Sequence, residues 1–277
     1  MSDYADFIAD PRRGCAIAAH RGAWHCAPEN SLAAIEAAIA AGYHIVEIDI
    51  RQSADGHLFL LHDDTLERMA GRAERAGRLS LAELRRMRLR EGDGGSGRAV
   101  TAHAIPTLRE ALEVARGRIF LDLDLKDRAL MPRLVAEVAD MGMAGQVDVK
   151  APVDTPEARQ WLACPGDLRG IAFMPMARFT GGNGAALADL LKTMRPFMCE
   201  ASFDRLESMA EHRQRLADAG TAIWVNTLDP VASCGLSDRA ALANPDGVWG
   251  RLVEAGVSVI QTDEPQALQS YLEETGR

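Results

Sequence analysis

The sequence has no uninterrupted apolar run close to the ~18 residues that suggest a membrane span. Its opening stretch, MSDYADFIADPRRG, carries acids and lacks an apolar centre, so it is not expected to act as a signal peptide. Cysteine is sparse. The five, at 15, 26, 164, 199 and 234, are odd in number, widely spaced and without a CxxC pair. That pattern points to a reduced, cytoplasmic protein. Positive charge is in deficit, with 31 Lys and Arg against 40 Asp and Glu and a formal net charge of −9. The deficit argues against a nucleic-acid partner or a stable association with an anionic membrane. It leaves an anionic small molecule open, because a bound metal or a local cationic cluster inverts the field where it sits. No GxGxxG follows the first strand, and there is no fixed-period repeat or low-complexity tract.

What remains is a chain of 277 residues, 47% apolar and 26% charged, which suits one large α/β domain or two small ones. Strand-like runs fall at 15–19, 44–50, 119–125, 146–150, 170–176, 197–202, 222–226 and 257–262. Helical patterns follow them at 31–44, 107–118, 129–142, 155–163, 185–194, 204–220, 245–256 and 264–274. Strict β/α alternation implies parallel strands with crossover helices, and eight units predict a (β/α)8 TIM barrel. A doubly wound open sheet is the competing α/β architecture. The expected organisation is one barrel over 1–277 with a small insertion after strand two, at 65–105, holding nine Arg and the flexible run EGDGGSG.

Side chains alternate along a strand. In HIVEIDI the branched residues Val46, Ile48 and Ile50 share one face and Ile45, Glu47 and Asp49 the other. In LDLDLK, Asp122, Asp124 and Lys126 share the inward face, as do Asp148 and Lys150 in QVDVK. Buried carboxylates need compensation. Glu47, Asp49 and Asp124, at the C-terminal ends of neighbouring strands, form a hard oxygen set that suits one divalent metal, Mg²⁺ or Ca²⁺, better than zinc. The plainer reading is core ion pairing, with Lys126 neutralising the acids. His20 ends the first strand. A turn at ADG (54–56) folds HLFLLHD back as an antiparallel extension that returns His62 to the same mouth. Two such histidines suit general acid and base roles. His25 lies in the first loop; His44, His57, His103 and His212 read as strand-base, turn or surface residues.

The block from HRG through HDDTL resembles the glycerophosphodiester phosphodiesterases. It carries His20-Arg21-Gly22, Pro28-Glu29-Asn30-Ser31, Glu47-x-Asp49, Asp55-Gly56 and His62-Asp63 in order, and IPTLREAL, LDLDLK, WVN and TDEP follow. The resemblance implies a barrel of the PLC-like phosphodiesterase type, a divalent metal, and a small-molecule glycerophosphodiester substrate. That substrate would be split into an alcohol and glycerol 3-phosphate. It implies Glu47, Asp49 and an acid at 124 as metal ligands and His20 and His62 as the acid/base pair. Arg21 and Lys126 fall to the phosphate, Lys126 alternatively to orienting the carboxylates. Glu29 supports or contacts the metal site. Asn30 reads as a site residue or as a helix N-cap. The insertion would cap part of the site.

Two departures stand out. Asp124 replaces the family's usual Glu, and an Asp there also resembles the cyclising sphingomyelinase D-type phospholipases. Lys150 adds a cation at the end of strand four, either for a more anionic substrate or for a nearby acid. Glu200 is placed to hold a polar head group and Trp224 to stack on a substrate. The Gly-rich FTGGNG (179–184) suggests a phosphate nest, and the Arg-rich 68–98 reads as a solvated helix, with guidance of anionic substrates as the alternative. A non-catalytic barrel that binds phosphorylated ligands is the reading from another functional class. The alcohol group, the choice between cyclic-phosphate and direct-water chemistry, and the oligomeric state stay open.

Overall fold

A computed structural model describes residues 3–155 and 168–277. The expected helix at 155–163 and Cys164 fall almost wholly outside the described residues. Among the described residues the strands β1 (Ala16–His20), β2 (Ile45–Gln52), β3 (Leu58–Leu60), β4 (Phe120–Leu125), β5 (Val147–Pro152), β6 (Ala172–Phe179), β7 (Met198–Phe203), β8 (Ala222–Asn226) and β9 (Val259–Thr262) form one sheet in the order β1-β9-β8-β7-β6-β5-β4-β2-β3, with β1 also paired to β2. This is the closed (β/α)8 barrel that the alternation predicts, and β3 is the antiparallel extra strand. The described chain divides into two compact units: residues 19–147 with 168–171, and residues 3–18, 148–155 and 172–277.

The first unit starts within β1 (Ala16–His20), whose last two residues it holds. Helix α2 (Leu32–Ala40) follows, and its first turn is closed by Ser31, whose Oγ accepts from the Ala34 amide at 3.1 Å. The N-cap is therefore Ser31, not Asn30, which leaves the Asn30 amide for other work. Strand β2 (Ile45–Gln52) pairs antiparallel with β3 (Leu58–Leu60) through Ile50 opposite Leu60, and parallel with β4 (Phe120–Leu125). The turn between β2 and β3 is tied by Ser53, whose Oγ accepts from the His57 amide at 2.9 Å, with Gly56 at φ +89°.

The excursion after β3 holds two short helices, α3 (Glu67–Ala70) and α4 (Leu81–Leu84). They close over Phe59, Leu61, Leu66, Met69, Leu84 and Ile105, a small apolar cluster of its own. The glycine run 92–97 is pinned as a turn, with Gly94 donating to the Glu91 carbonyl and Gly95 to the Arg68 carbonyl. Helix α5 (Leu108–Ala115) begins at a capping box in which Thr107 and Glu110 satisfy each other's amides. The unit continues with β4 and α6 (Met131–Asp140).

The second unit opens with α1 (Tyr4–Ala9), which the sequence pattern did not single out. It holds parallel strands β5 (Val147–Pro152), of which Val147 belongs to the first unit, β6 (Ala172–Phe179), β7 (Met198–Phe203), β8 (Ala222–Asn226) and β9 (Val259–Thr262). Among the described residues its helices are α1, α7 (Gly184–Met194), α8 (Leu206–Ala210), α9 (Arg213–Asp218), α10 (Asp238–Ala243), α11 (Arg251–Glu254) and α12 (Pro265–Thr275). Two expectations need correction. The helix expected at 204–220 is broken in two at Glu211–His212, where the imidazole packs so tightly on Gly184 that no Cβ would fit there. The stretch 227–244, for which the sequence pattern gives neither strand nor helix, contains α10, capped by Ser237, and the helix expected at 245–256 starts as a π turn over 246–250. Within this region buried Asp238 accepts from the hydroxyls of Thr227 and Thr262, both at 2.6 Å, and ties the ends of β8 and β9 together.

Candidate active site

In-register pairing of β2 with β4 sets Glu47 opposite Asp122 and Asp49 opposite Asp124. Because alternate residues share a face, two acids from β2 and one from the end of β4 converge. One carboxylate oxygen each of Glu47, Asp49 and Asp124 lies within 4.8 Å of the others. Glu47 and Asp49 are buried, and the Asp124 side chain is 30% exposed. The shorter Asp at 124 therefore still reaches the cluster. Three carboxylates with one edge open to solvent form a donor set that fits a hard divalent cation.

The cluster is counterbalanced within the protein. Lys126 Nζ lies 2.6 Å from Asp49 Oδ1 and 2.6 Å from Asp124 Oδ2. Burial pulls this ammonium down, but the charges of Asp49 and Asp124 more than reverse that and hold it raised. Burial pushes the Asp49 carboxyl up. The Lys126 ammonium and the Arg21 guanidinium outweigh burial and bring it down to about 2. Lys126 thus bridges the carboxylates of Asp49 and Asp124.

Arg21 takes a left-handed backbone at φ +55° directly after β1. That bend lets its amide donate to Glu47 Oε2 at 3.2 Å while its guanidinium turns toward the acids. Nε stands 3.2 Å from Asp49 Oδ2, and Nη1 donates to Glu29 Oε2 at 3.0 Å. The next residue, Gly22, has φ +86°, and a Cβ there would lie 2.7 Å from the Ala34 Cβ. Asn30, also left-handed at φ +53°, clamps Asp49 twice. Its Nδ2 donates to Asp49 Oδ2 at 2.6 Å, and its Oδ1 accepts from the Asp49 amide at 2.9 Å. Asn30 thus bonds Asp49 and does not cap α2.

The histidines occupy different settings. His20 is mostly buried, with Nε2 3.9 Å from Glu47 Oε2. His62 is more open at 38% side-chain exposure and follows Leu61, whose amide donates to the Asp49 carbonyl at 3.1 Å. Its own carbonyl accepts from Arg51 Nη2 at 2.6 Å, which fixes the backbone. Its ring Nδ1 is 2.8 Å from Asp63 Oδ1. With Asp63 ionised, Nδ1 carries the proton and Nε2 is left as the basic nitrogen. The hydrogen bond from His62, reinforced by Arg68, holds Asp63 well below the usual carboxylate range.

Two residues bonded into this group escaped the sequence reading. Arg68, on α3, grips Asp63 with Nε at 2.7 Å and Nη2 at 3.0 Å, and reaches Glu29 Oε1 with Nη2 at 2.7 Å. It is not part of a solvated helix face. Asp63 figured only as a motif letter. The signal available was the spacing of five residues from Asp63 to Arg68; nothing in composition separates Arg68 from the other arginines of that segment. Glu29 takes both Arg21 and Arg68.

Beside these residues a cavity of about 480 Å³ is lined by Trp24, His25 and Pro28 from the first loop and by Glu91, Arg98 and His103 from the insertion. In the second unit, Lys150, Glu200 and Trp224 form a separate group. Lys150 Nζ is 3.3 Å from Glu200 Oε2 and 6.0 Å from the Trp224 ring centre. Asn226 donates to Glu200 Oε1 at 3.1 Å and accepts from the indole at 2.6 Å. Lys150 thus has an acid partner, and Trp224 is packed in the core with no exposed surface. The FTGGNG loop is not a ready phosphate nest. Its Thr180 amide donates to the Asn183 side chain at 2.7 Å, and Gly181 faces the Asp204 carboxylate at 3.4 Å.

Residues 20–147, which contain every residue of the carboxylate and histidine group, match the glycerophosphoryl diester phosphodiesterase family. Over these residues the chain is similar to the glycerophosphodiester phosphodiesterases. Residues 173–272 also match a domain of unknown function. Glycerophosphodiester phosphodiesterase 1 of Mus musculus is 35% identical over 131 residues, covering 45% of this chain and 38% of that protein. The chain thus spans about two fifths of the length of the curated relatives it matches first. Solved structures of the family share the fold. A glycerophosphoryl diester phosphodiesterase from Parabacteroides distasonis superposes with a TM-score of 0.80 at 23% identity, covering 99% of this chain and 93% of that one. An Oleispira antarctica phosphodiesterase in complex with the product sn-glycerol-3-phosphate gives 0.67 at 23% identity, over 94% and 97%.

Proposed function

We propose that this chain is a metal-dependent phosphodiesterase that hydrolyses glycerophosphodiesters to an alcohol and glycerol 3-phosphate, acting as a single barrel over 1–277. The observation that carries the proposal is the convergence of Glu47, Asp49 and Asp124 with His20, His62 and Arg21 in one unit. The family match supports it.

Glu47, Asp49 and Asp124 would hold one Mg²⁺ or Ca²⁺. When bound, the cation supplies Lewis-acid stabilisation of phosphoryl charge. The protein's own groups do the rest. Arg21 offers a planar donor fork to phosphate oxygens, aimed by Glu29. His62, with Nδ1 engaged by Asp63, presents Nε2 to take a proton from the attacking hydroxyl or water. His20 is then the acid that protonates the leaving alcohol, and the reverse assignment uses the same two nitrogens. Lys126 holds Asp49 and Asp124 in place and offsets their mutual repulsion. Asn30 fixes Asp49 by two hydrogen bonds.

The insertion 65–105 caps part of the site in this reading. The cavity between Trp24 and His103 receives the alcohol portion of the substrate. Lys150 and Glu200 are proposed to recognise a polar part of a small-molecule ligand, with Trp224 as their apolar backing. Among the described residues no helix is long and apolar enough to cross a membrane. The described cysteines are all free thiols. Both observations support the reading of a cytoplasmic enzyme for deacylated substrates.

Phosphorus NMR of glycerophosphocholine and lysophosphatidylcholine tests the proposal, with Mg²⁺, with Ca²⁺ and with chelator. Metal-dependent appearance of glycerol phosphate is the expected result. A persistent cyclic phosphate would instead assign the cyclising chemistry that Asp124 brings to mind. No turnover of any glycerophosphodiester with either metal would remove the enzymatic reading.

A further inference from the structure

We infer that Arg68 is a positioning residue that aims both the base and the phosphate-binding arginine, through Asp63 and Glu29, so that the insertion is an active part of the catalytic apparatus. The inference rests on the functional reading above and adds to it a residue that touches no reacting atom.

The geometry is a continuous chain of charged hydrogen bonds. His62 Nδ1 meets Asp63 Oδ1 at 2.8 Å. Arg68 grips Asp63 in the bidentate fashion of a guanidinium on a carboxylate, with Nε on Oδ2 at 2.7 Å and Nη2 on Oδ1 at 3.0 Å. The same Nη2 donates to Glu29 Oε1 at 2.7 Å, and the other Glu29 oxygen accepts from Arg21 Nη1 at 3.0 Å. Arg21 Nε in turn faces Asp49. The remaining nitrogen of Arg68 donates to the Asp93 carbonyl, farther along the same segment.

Both carboxylates that Arg68 holds use their other contacts on a side chain whose aim matters. Asp63 selects the ring orientation of His62. Glu29 is 3% exposed, so without Arg68 it keeps one guanidinium partner, and an under-compensated buried carboxylate draws that partner toward itself. Arg21 would then turn from the open edge of the acid cluster. A lysine cannot replace the fork, because one compact ammonium cannot span a bidentate carboxylate and a second acid together. Groups that orient a ligand or catalytic side chain commonly cost about 10–100-fold when removed.

The test compares wild type, Arg68→Ala and Arg68→Lys on glycerophosphocholine with saturating metal, with and without millimolar guanidinium chloride. The imidazole of His62 is followed by ¹⁵N NMR in the same proteins. We expect Arg68→Ala to lose about 10–100-fold in kcat, with a smaller change in KM, and to recover part of it with guanidinium. Arg68→Lys should recover little. The His62 Nδ1–H signal should be present in wild type and weakened or lost in Arg68→Ala. The inference is overturned if kcat of Arg68→Ala stays within about twofold of wild type. A loss that guanidinium does not restore, with an unchanged His62 spectrum, overturns it equally. If wild type itself turns over no glycerophosphodiester, the functional reading falls, and the His62 spectrum still decides whether Arg68 positions that ring.

Discussion

At the scale of single residues, the site is a balance of charges held by neighbours. His62 has its Nδ1 committed to Asp63, so its remaining nitrogen is its chemical end. His62→Ala should lower kcat by about 10²–10⁴-fold, the range for losing a general acid or base, with the circular dichroism spectrum unchanged; steady-state kinetics checks it. Asp63 also gives an acid-stability signature. Its folded-state pKa lies below its unfolded value, so the stability it contributes is present above about pH 4 and is lost as pH falls below that. Thermal melts of metal-free protein from about pH 5 to about 3 should therefore fall more steeply for wild type than for Asp63→Asn. Much of this level was legible in the sequence. Glu47, Asp49 and Asp124 follow from strand alternation, and the histidines from their strand-end positions. Arg68 and its pairing with Glu29 were not legible, because that pairing spans 39 residues and depends on how α3 lies against the first loop. The N-cap of α2 went to Ser31 for a local reason: Asn30 is turned to a left-handed backbone that directs its amide to Asp49.

At the scale of elements, two joints carry the site. The turn after β1 depends on Gly22, where a Cβ meets Ala34 at 2.7 Å and the backbone is at φ +86°. Gly22→Ala should destabilise the protein by about 1–3 kcal/mol, and it should reduce activity beyond that loss because Arg21 and the loop to Glu29 shift with it; urea melts alongside kinetics separate the two. The second joint is the insertion's own apolar cluster. Leu84 is fully buried there, and Leu84→Ala should cost about 2–5 kcal/mol. Hydrogen exchange should locate the loosening in residues 65–105 and leave the amides of β4 protected. The sequence marked the insertion by its arginines, but its core residues are interleaved with charges and show no clean period. For the same reason the break between α8 and α9 was hidden: the pattern through 204–220 is continuous, and only the packing of His212 on Gly184 interrupts it.

At the scale of the whole molecule, the alternation of strand and helix was enough to predict the barrel, because parallel strands joined by crossover helices leave few closed arrangements. Saturating Mg²⁺ or Ca²⁺ should raise the melting temperature relative to chelator, as any ligand of the native state does; calorimetry with and without metal checks it, and Glu47→Gln should abolish the difference. The thiols give a global report on native packing. Cys15 is buried and its thiol pushed up to about 12 by that burial, and Cys199 is buried and raised by the same cause. Cys26 and Cys234 are exposed. Brief labelling with iodoacetamide should modify Cys26 and Cys234 and spare Cys15 and Cys199 until denaturant is added, as peptide mass mapping would show.

The excursion after β3 leaves and rejoins the fold at one place. Phe59 bridges to Thr107, and the Leu60 amide donates to the Pro106 carbonyl at 3.0 Å. Its two ends are thus stapled side by side, so the segment's length is decoupled from the register of the strands. An evolving lineage is free to lengthen, trim or exchange this segment as a cassette without redesigning the scaffold that carries the acids.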